Sequence, residues 1–364
     1  MIVKKVRLRN FRNYSFCEFE FSDGINVITG KNAQGKTNLI ESLIYLSLTR
    51  SHRILNDKQL IKDGYEFADI KCRFIDQGSS REIEAIIHQK GKTLMVQHQP
   101  VKKSSEFVGL LNVVLFSPDD LNIFTDAPKD RRKIMNQELS KTSSKYLNSL
   151  SRFNAILKER NLLLKRIHVD TNLLDTFDEQ MSELECNIIQ ERKVFINTIN
   201  QNICDIYKKL SDDTIRVQVK YNCCLENDVS IENILFEHKK HREKDIENHV
   251  TTFGIHREDF TFEMNDRNLV QFASQGQKRM TVLSFKMSLL KYITIRTHRQ
   301  PILLLDDVLS ELDLDRQNKL MDMVGGSFQC LITATEIPEF LKNKKMKIFQ
   351  IDHGNIQSIT GGEV

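Results

Sequence analysis

The chain has 364 residues, enough for two domains or one large bilobed one, with a net charge of +4 and 28% charged residues. That balance excludes a histone-like or tail-driven nucleic-acid binder, so any nucleic acid must be met by a local basic patch. Seven cysteines, odd in number and scattered, suit a reducing compartment better than a disulfide framework.

Met1 to Arg9 alternates apolar and basic residues as a strand does, and does not carry the charged head and apolar core of a signal. No apolar run approaches the ~20 residues that span a bilayer, and the expectation is a cytoplasmic protein with no membrane partner. Phe19 and Phe21 alternate with Glu18 and Glu20, Asp23-Gly24 makes a turn, and Ile25, Val27 and Ile28 read as a buried strand. That strand runs into Gly30-x-x-x-x-Gly35-Lys36-Thr37 and then into Leu39, Ile40, Leu43, Ile44 and Leu46 at helical spacing. Strand, glycine loop and helix in that order are the context of a phosphate-binding loop. Gly30 and Gly35 let backbone N–H groups curl toward phosphate oxygens beside the positive end of the helix. Lys36 can reach the β- and γ-phosphates, and the Thr37 hydroxyl can hold Mg²⁺. The loop therefore predicts ATP or GTP binding, with Gly30, Lys31, Asn32, Ala33, Gln34, Gly35, Lys36, Thr37 and Asn38 around the ligand.

Short β-like runs recur from Glu66 to Leu115, broken by turns at Gly78 and Gly91, and predict an antiparallel sheet attached to the nucleotide core. From Lys129 to Leu210 there is no glycine, and Met181, Leu184, Ile188, Phe195, Ile199, Ile203, Ile206 and Leu210 form a helical stripe. The stripe predicts a packed helical bundle, too short for an extended coiled-coil arm. Residues 213 to 221 alternate as a strand, and 226 to 248 form a highly charged run that reads as a solvated face. Cys223-Cys224 followed by His238-x-x-His241 lacks the usual zinc-loop spacing and reads as ordinary packing. Phe260 to Met264 is a strand ending in an Asn265-Asp266 turn, and a long helix opens after Ser274 and runs to about Ile295. Ile302 to Leu305 is an apolar strand ending in Asp306-Asp307, and a further strand covers Gln329 to Ala334. In a phosphate-loop fold such a strand end faces the nucleotide. Asp306 can then orient Mg²⁺, and Asp307 can polarise the attacking water.

Ser274-Gln-Gly-Gln277 resembles the signature loop of ABC-type ATPases, and Leu305-Asp-Asp-x-x-x-Glu-Leu-Asp313 resembles their Walker B motif and D-loop. Within that clan the chain resembles the RecF family of bacterial DNA gap-repair proteins. The matching pieces span nearly its whole length: Leu8 to Tyr14, Gly30 to Asn38, Ser51-His-Arg53, Phe116 to Leu121, Pro128 with Arg131 and Arg132, Gly254-x-His-Arg257, Ala273 to Gln277, and Leu305 to Asp313. Departures occur near Asp126-Ala-Pro128, where the family usually shows a glycine, and at Ile134 and Asn136, where it shows an aromatic residue and an aspartate.

The resemblance implies an α/β ABC-ATPase head. Residues 1–125 and 296–364 would form a phosphate-loop lobe carrying an antiparallel β-subdomain, and 126–295 a largely helical second lobe with the signature motif. It implies ATP and Mg²⁺ as cofactors, the latter on Thr37 and Asp306, and catalytic roles for Lys36, Asp306, Asp307 and Thr335. It also implies a head-to-tail homodimer in which Ser274, Gln275, Gly276 and Gln277 of one subunit meet the nucleotide of the other. The implied function is ATP-dependent DNA binding in recombinational gap repair and replication-fork maintenance. The dimer would clamp DNA and support recombinase loading, and a weak, DNA-dependent ATPase would release it.

DNA would be duplex or a single/double-strand junction, met through phosphates without sequence preference. Candidates for those contacts are Lys129, Arg131, Arg132, Lys158, Arg160, Lys165 and Arg166, and RecR and RecO are the implied protein partners. The alternative is a structural head of the chromosome-condensation type or another ABC-type ATPase head. A condensation-type head needs hundreds of heptad residues between Lys36 and Ser274, where only about 240 lie. A fused nuclease would need more than the roughly fifty residues after Asp313.

Overall fold

The computed structural model describes residues 1–225, 228–324, 326–341 and 344–361. Strands β1 (Ile2–Phe11), β2 (Tyr14–Glu20) and β3 (Ile25–Thr29) precede helix α1 (Lys36–Leu48). Then come β4 (Phe67–Asp76), β5 (Ser79–His88), β6 (Gly91–Val96), β7 (Gln99–Pro100) and β8 (Val113–Phe116). Helices α2 (Pro128–Thr142), α3 (Ser144–Leu163) and α4 (Thr171–Ser211) follow, then β9 (Val217–Asn222), α5 (Ile231–Asn248), β10 (Asp259–Met264), β11 (Arg267–Asn268), α6 (Leu269–Phe272) and α7 (Gln275–Thr297). The chain closes with β12 (Ile302–Asp306), α8 (Leu314–Val324), β13 (Cys330–Ala334), β14 (Met346–Asp352) and β15 (Asn355–Thr360). The architecture is α/β, as the strand–loop–helix pattern requires.

The chain divides into two compact units, the first made of Met1–Asp120, Ile206–Asp213 and Val282–Val364. It holds two six-stranded sheets. One is antiparallel in the order β2-β1-β4-β5-β6-β7, with Val6 paired to Phe19 on one side and Cys72 on the other. The other runs β15-β14-β3-β13-β12-β8, all neighbours parallel except β15. A parallel sheet covered on both faces needs strands apolar throughout, and β12 is buried at all five residues. Because β3, β13 and β12 are parallel, with Ile28 level with Thr333 and Thr333 level with Asp306, their carboxyl ends share one sheet edge. That edge is where open α/β sheets carry ligands.

The second unit comprises Leu121–Asp205 and Thr214–Thr281. Its small sheet, β11-β10-β9, turns at Asn265 and Asp266, both in the left-handed region with φ of 49° and 61°, as a two-residue hairpin demands. The expected stripe on α4 is interior, with Met181, Ile188, Phe195, Ile199 and Ile203 fully buried, as is Leu210 where the helix ends in the first unit. Asn136, one of the departures from the family pattern, accepts hydrogen bonds from Tyr146 Oη at 2.6 Å and Arg192 Nη2 at 3.0 Å.

The charged run is mostly the solvated face expected, with Lys239, Lys240, Glu243 and Lys244 exposed, but two of its residues turn inward. Glu226 lies outside the described residues, and α5 buries His238 and Asp245 completely. His238 Nε2 meets Glu185 Oε2 at 2.5 Å, and Asp245 accepts from Arg160. Alternating charge on a helix is thus a surface signal only where no opposing buried charge pairs with it. Cys223 and Cys224 face Glu258 rather than the histidines, with Cys223 Sγ 3.4 Å from Glu258 Oε1. That carboxylate is already held by Arg192 Nη1 at 2.5 Å and by the Tyr221 hydroxyl.

Candidate nucleotide site

The loop after β3 has the conformation its glycines predict. Gly30 has φ 152°, and a Cβ there would lie 2.3 Å from the Ile351 carbonyl oxygen. Gly35 has φ 116°, and its Cβ would press on Asn13 and the Tyr14 hydroxyl. Neighbouring segments hold the loop from outside. Asn13 Nδ2 donates to Gln34 O at 2.8 Å, Tyr14 Oη to Gly35 O at 2.9 Å, and the Gly354 amide to Gln34 O at 3.1 Å. The His353 amide donates to Gln34 Oε1 at 2.5 Å, and Asn38 Nδ2 to Asn13 Oδ1 at 2.8 Å. Phosphate is repelled by carbonyl oxygens and drawn to amides, so committing the loop's carbonyls to protein donors is what an anion cradle needs.

Lys36 opens α1 and is only 4% exposed. Its Nζ donates to Gly30 O at 2.6 Å and Lys31 O at 3.1 Å. Both acceptors are neutral, so they satisfy the ammonium's hydrogens without cancelling its charge, and a bound anion would complete the site.

The Thr37 hydroxyl donates to Asp306 Oδ1 at 3.1 Å, bringing together residues 269 positions apart. Asp306 is 7% exposed and ends β12. Burial pushes its carboxyl above the ordinary range, the neighbouring Asp307 charge adds to that, and hydrogen bonds from Thr333 and Thr37 pull against it. Asp307 follows with φ 54°, a left-handed conformation uncommon for a side-chain-bearing residue. Thr335 is exposed just past the end of β13. A hydroxyl beside a carboxylate is a hard-oxygen donor set, and it fits a magnesium ion that takes few protein ligands and completes its shell from phosphate and water.

Ser274 to Gln277 lie in the second unit, at the start of α7. The Ser274 amide donates to Gln277 Oε1 at 2.9 Å, and the Gln277 amide donates to Ser274 Oγ at 3.2 Å, a reciprocal capping box. Ser274, Gln275 and Gly276 are exposed. Because the Ser274 hydroxyl serves the cap as an acceptor, its own proton can still be donated to a ligand.

The basic residues proposed for DNA separate into two groups. Lys129, Lys158, Lys165 and Arg166 are exposed. Arg131 instead pairs with Asp259 through Nε at 2.9 Å and Nη2 at 2.7 Å, and Arg132 donates to Glu258 O at 2.5 Å. Arg160 corrects the expectation outright. It is fully buried, with Nε 2.8 Å from Asp178 and Nη1 2.8 Å from both Asp245 and Thr251. A guanidinium enclosed by two carboxylates is a core element and cannot reach a phosphate.

Sequence reading missed the residues that shape the site from a distance: Asn13, Tyr14 and Gly354 around the loop, and Thr333 between the two acids. Only Asn13 and Tyr14 carried a signal, as the end of the Leu8 to Tyr14 segment.

Comparison with known proteins gives the family. The RecF/RecN/SMC N terminal domain family matches residues 2–357. DNA replication and repair protein RecF of Lachnospira eligens is 38% identical, over 98% of this chain and 99% of its own. The RecF of Listeria innocua is 37% identical, over 98% of this chain and 100% of its own. A solved structure of the recombination mediator protein RecF-ATP in the RecFOR pathway superposes with a TM-score of 0.90 at 30% identity, over 100% of this chain and 98% of that one. An SMC head bound to the C-winged helix domain of ScpA aligns at TM-score 0.59 and 16% identity, a likeness of fold. By sequence, structure and motif order, the chain belongs to the RecF family of DNA replication and repair proteins.

Proposed function

We propose that this chain binds Mg²⁺·ATP, dimerises head to tail around it, and as a dimer clamps DNA at gaps to support recombinase loading, with slow hydrolysis as the release step. The observation that carries the reading is the Thr37–Asp306 hydrogen bond at 3.1 Å. It places a hydroxyl and a buried carboxylate together beside a loop whose glycines accept no side chain.

In this reading Gly30 to Asn38 cradle the phosphates, Lys36 neutralises charge on the β- and γ-phosphates, and Thr37 and Asp306 hold the magnesium ion, which screens the triphosphate when bound. Asp307 orients the attacking water, and Thr335 faces the γ-phosphate. Ser274 and Gly276 of one subunit reach the nucleotide held by Lys36 of the other, while Asp313 lies in the segment that crosses the dimer. The first compact unit serves as the nucleotide lobe and the second as the signature lobe. Since the ligand bridges two chains, binding energy becomes dimerisation energy.

The DNA assignment rests on relatives named as DNA replication and repair proteins. The exposed Lys129, Lys158, Lys165 and Arg166 are the phosphate contacts proposed here. RecR and RecO, from the pathway named for the solved relative, are the partners proposed for the loading step, and the cytoplasm is its compartment. Stimulation of a weak ATPase by DNA belongs to the same proposal.

The test is light scattering on the eluting protein without nucleotide, with ATP, and with ATP plus duplex, gapped or single-stranded DNA. The reading expects a mass doubling on ATP that Lys36→Ala abolishes. A Lys36→Ala protein that still dimerises with ATP removes the site assignment.

A further inference from the structure

Strand β13 is apolar until its last turn toward the site, where Cys330, Leu331 and Ile332 give way to Thr333. Thr333 is 1% exposed, and a buried hydroxyl is costly unless both its donor and its acceptor capacity are used. Here both are. Its Oγ1 donates to Asp306 Oδ1 at 2.7 Å and accepts the Asp307 amide at 3.0 Å. We propose that Thr333 is a positioning residue that sets the orientation of both acidic residues, the carboxylate of one and the backbone of the other. This inference rests on the assignment of Asp306 and Asp307 to the ATP site.

Asp306 Oδ1 receives two hydroxyls, from Thr37 and Thr333, so its carboxylate cannot rotate without breaking both bonds. Asp307 stands in the left-handed region, where a residue with a Cβ stays only when surrounding contacts hold it. The bond from its amide to Thr333 is such a contact, and it fixes where the Asp307 side chain departs from the chain. Thr333 is well suited to the task because β-branching stiffens its χ1, so the hydroxyl is aimed by the strand itself. The parallel register that sets Thr333 level with Asp306 completes the alignment.

The test uses Thr333→Val, which keeps the shape and removes the hydroxyl, Thr333→Ser, which restores the hydroxyl, and Asp306→Asn as comparator. The readouts are ATP turnover, the Mg²⁺ concentration that half-supports binding of a fluorescent ATP analogue, and the melting temperature. Partners of a metal ligand typically contribute 10- to 100-fold. Thr333→Val is therefore expected to lose about 10- to 100-fold in turnover and to need about tenfold more Mg²⁺, with melting close to wild type, and Thr333→Ser to recover most of both. Wild-type turnover and Mg²⁺ dependence in Thr333→Val, with Asp306→Asn inactive, overturns the inference and leaves the site reading standing. A loss in Thr333→Val that Thr333→Ser does not recover, matched by a drop in melting temperature, also overturns it, since the residue is then only structural. An active Asp306→Asn overturns the site reading and this inference with it.

Discussion

Arg12 clamps Glu41 with two parallel hydrogen bonds, Nε to Oε2 and Nη2 to Oε1, each 2.8 Å. Glu41 is fully buried on the helix that begins at Lys36, and the Ser51 hydroxyl donates to it as well, at 2.5 Å. Burial pushes this carboxyl up, but the Arg12 and Ser51 hydrogen bonds and the Arg12 and Arg53 charges outweigh it, leaving the group below its ordinary value. The turn after β1 is thereby tied to the helix that carries the phosphate loop.

Removing one partner of such a pair strands a buried charge, which costs about 3–5 kcal/mol. Arg12→Ala should therefore lower stability by about 3 kcal/mol in urea unfolding. Because the carboxyl is held below its unfolded value, the pair's contribution is present above the unfolded value and is lost as the pH falls through the folded one. The deficit of the variant relative to wild type should shrink on acidification. A deficit that stays constant down to acid pH would show that Arg12 acts by packing alone.

His52 gives a second pH dependence, with its own window. Its Nδ1 is buried without a hydrogen-bond partner among the described residues. Burial holds the ring at about 4, below its usual 6.5, with Arg53 and Lys286 pushing the same way against Glu41 and Asp119. Between those values the unfolded chain binds a proton that the folded chain refuses, so stability is full above 6.5 and declines toward 4. After a discount for partial exposure the loss is about 2 kcal/mol. His52→Gln should remove that slope, measured as the difference in urea midpoint between about pH 7.5 and about pH 5. Parallel slopes in the two proteins would contradict it.

The exposed and buried basic residues of the second unit predict different phenotypes. If the protein meets DNA through phosphates, log affinity falls linearly with log salt, and losing one contact reduces that slope by about one. Lys158→Ala, Lys165→Ala and Arg166→Ala should each weaken binding evenly across DNA sequences while melting stays unchanged. Arg160→Ala should instead unfold the helical unit, since it takes from buried Asp245 its arginine partner and from buried Asp178 one of two, Arg242 being the other, at a cost of about 3–5 kcal/mol. Loss of DNA binding with normal melting in Arg160→Ala would reverse its assignment to the core.

What could be read in advance depended on how far apart the interacting residues lie. Gly30 to Thr37 and Asp306-Asp307 were legible because each cluster is contiguous and its strand or helix context is adjacent. The bracing of the loop was not. His353 and Gln34 are 319 positions apart, and Thr333 lies 27 from Asp306, so their pairing exists only once the parallel sheet has set the register. Arg160 is the instructive failure. It stands seven residues after the buried Phe153 and three before the buried Leu163, a spacing that places it on the inner face of α3. Helical periodicity was the better guide there than charge.

The catalytic reading of Asp307 is tested most cleanly by Asp307→Asn rather than by alanine. Asn is among the few side chains that tolerate left-handed backbone, so the φ of 54° and the amide bond to Thr333 survive. The substitution removes the ability to take a proton from water and leaves the shape of the turn. Alanine would add backbone strain, and a loss of turnover could then reflect a displaced strand end. With Asn, nucleotide should still bind and the dimer should still form, while phosphate release falls about 10²- to 10⁴-fold, the usual share of a general base. The dimer should then persist on a sizing column after excess ATP is removed, long after the wild type has returned to monomers. Wild-type phosphate release from Asp307→Asn would mean that another group activates the water, and Asp307 would keep only the backbone role that its bond to Thr333 describes.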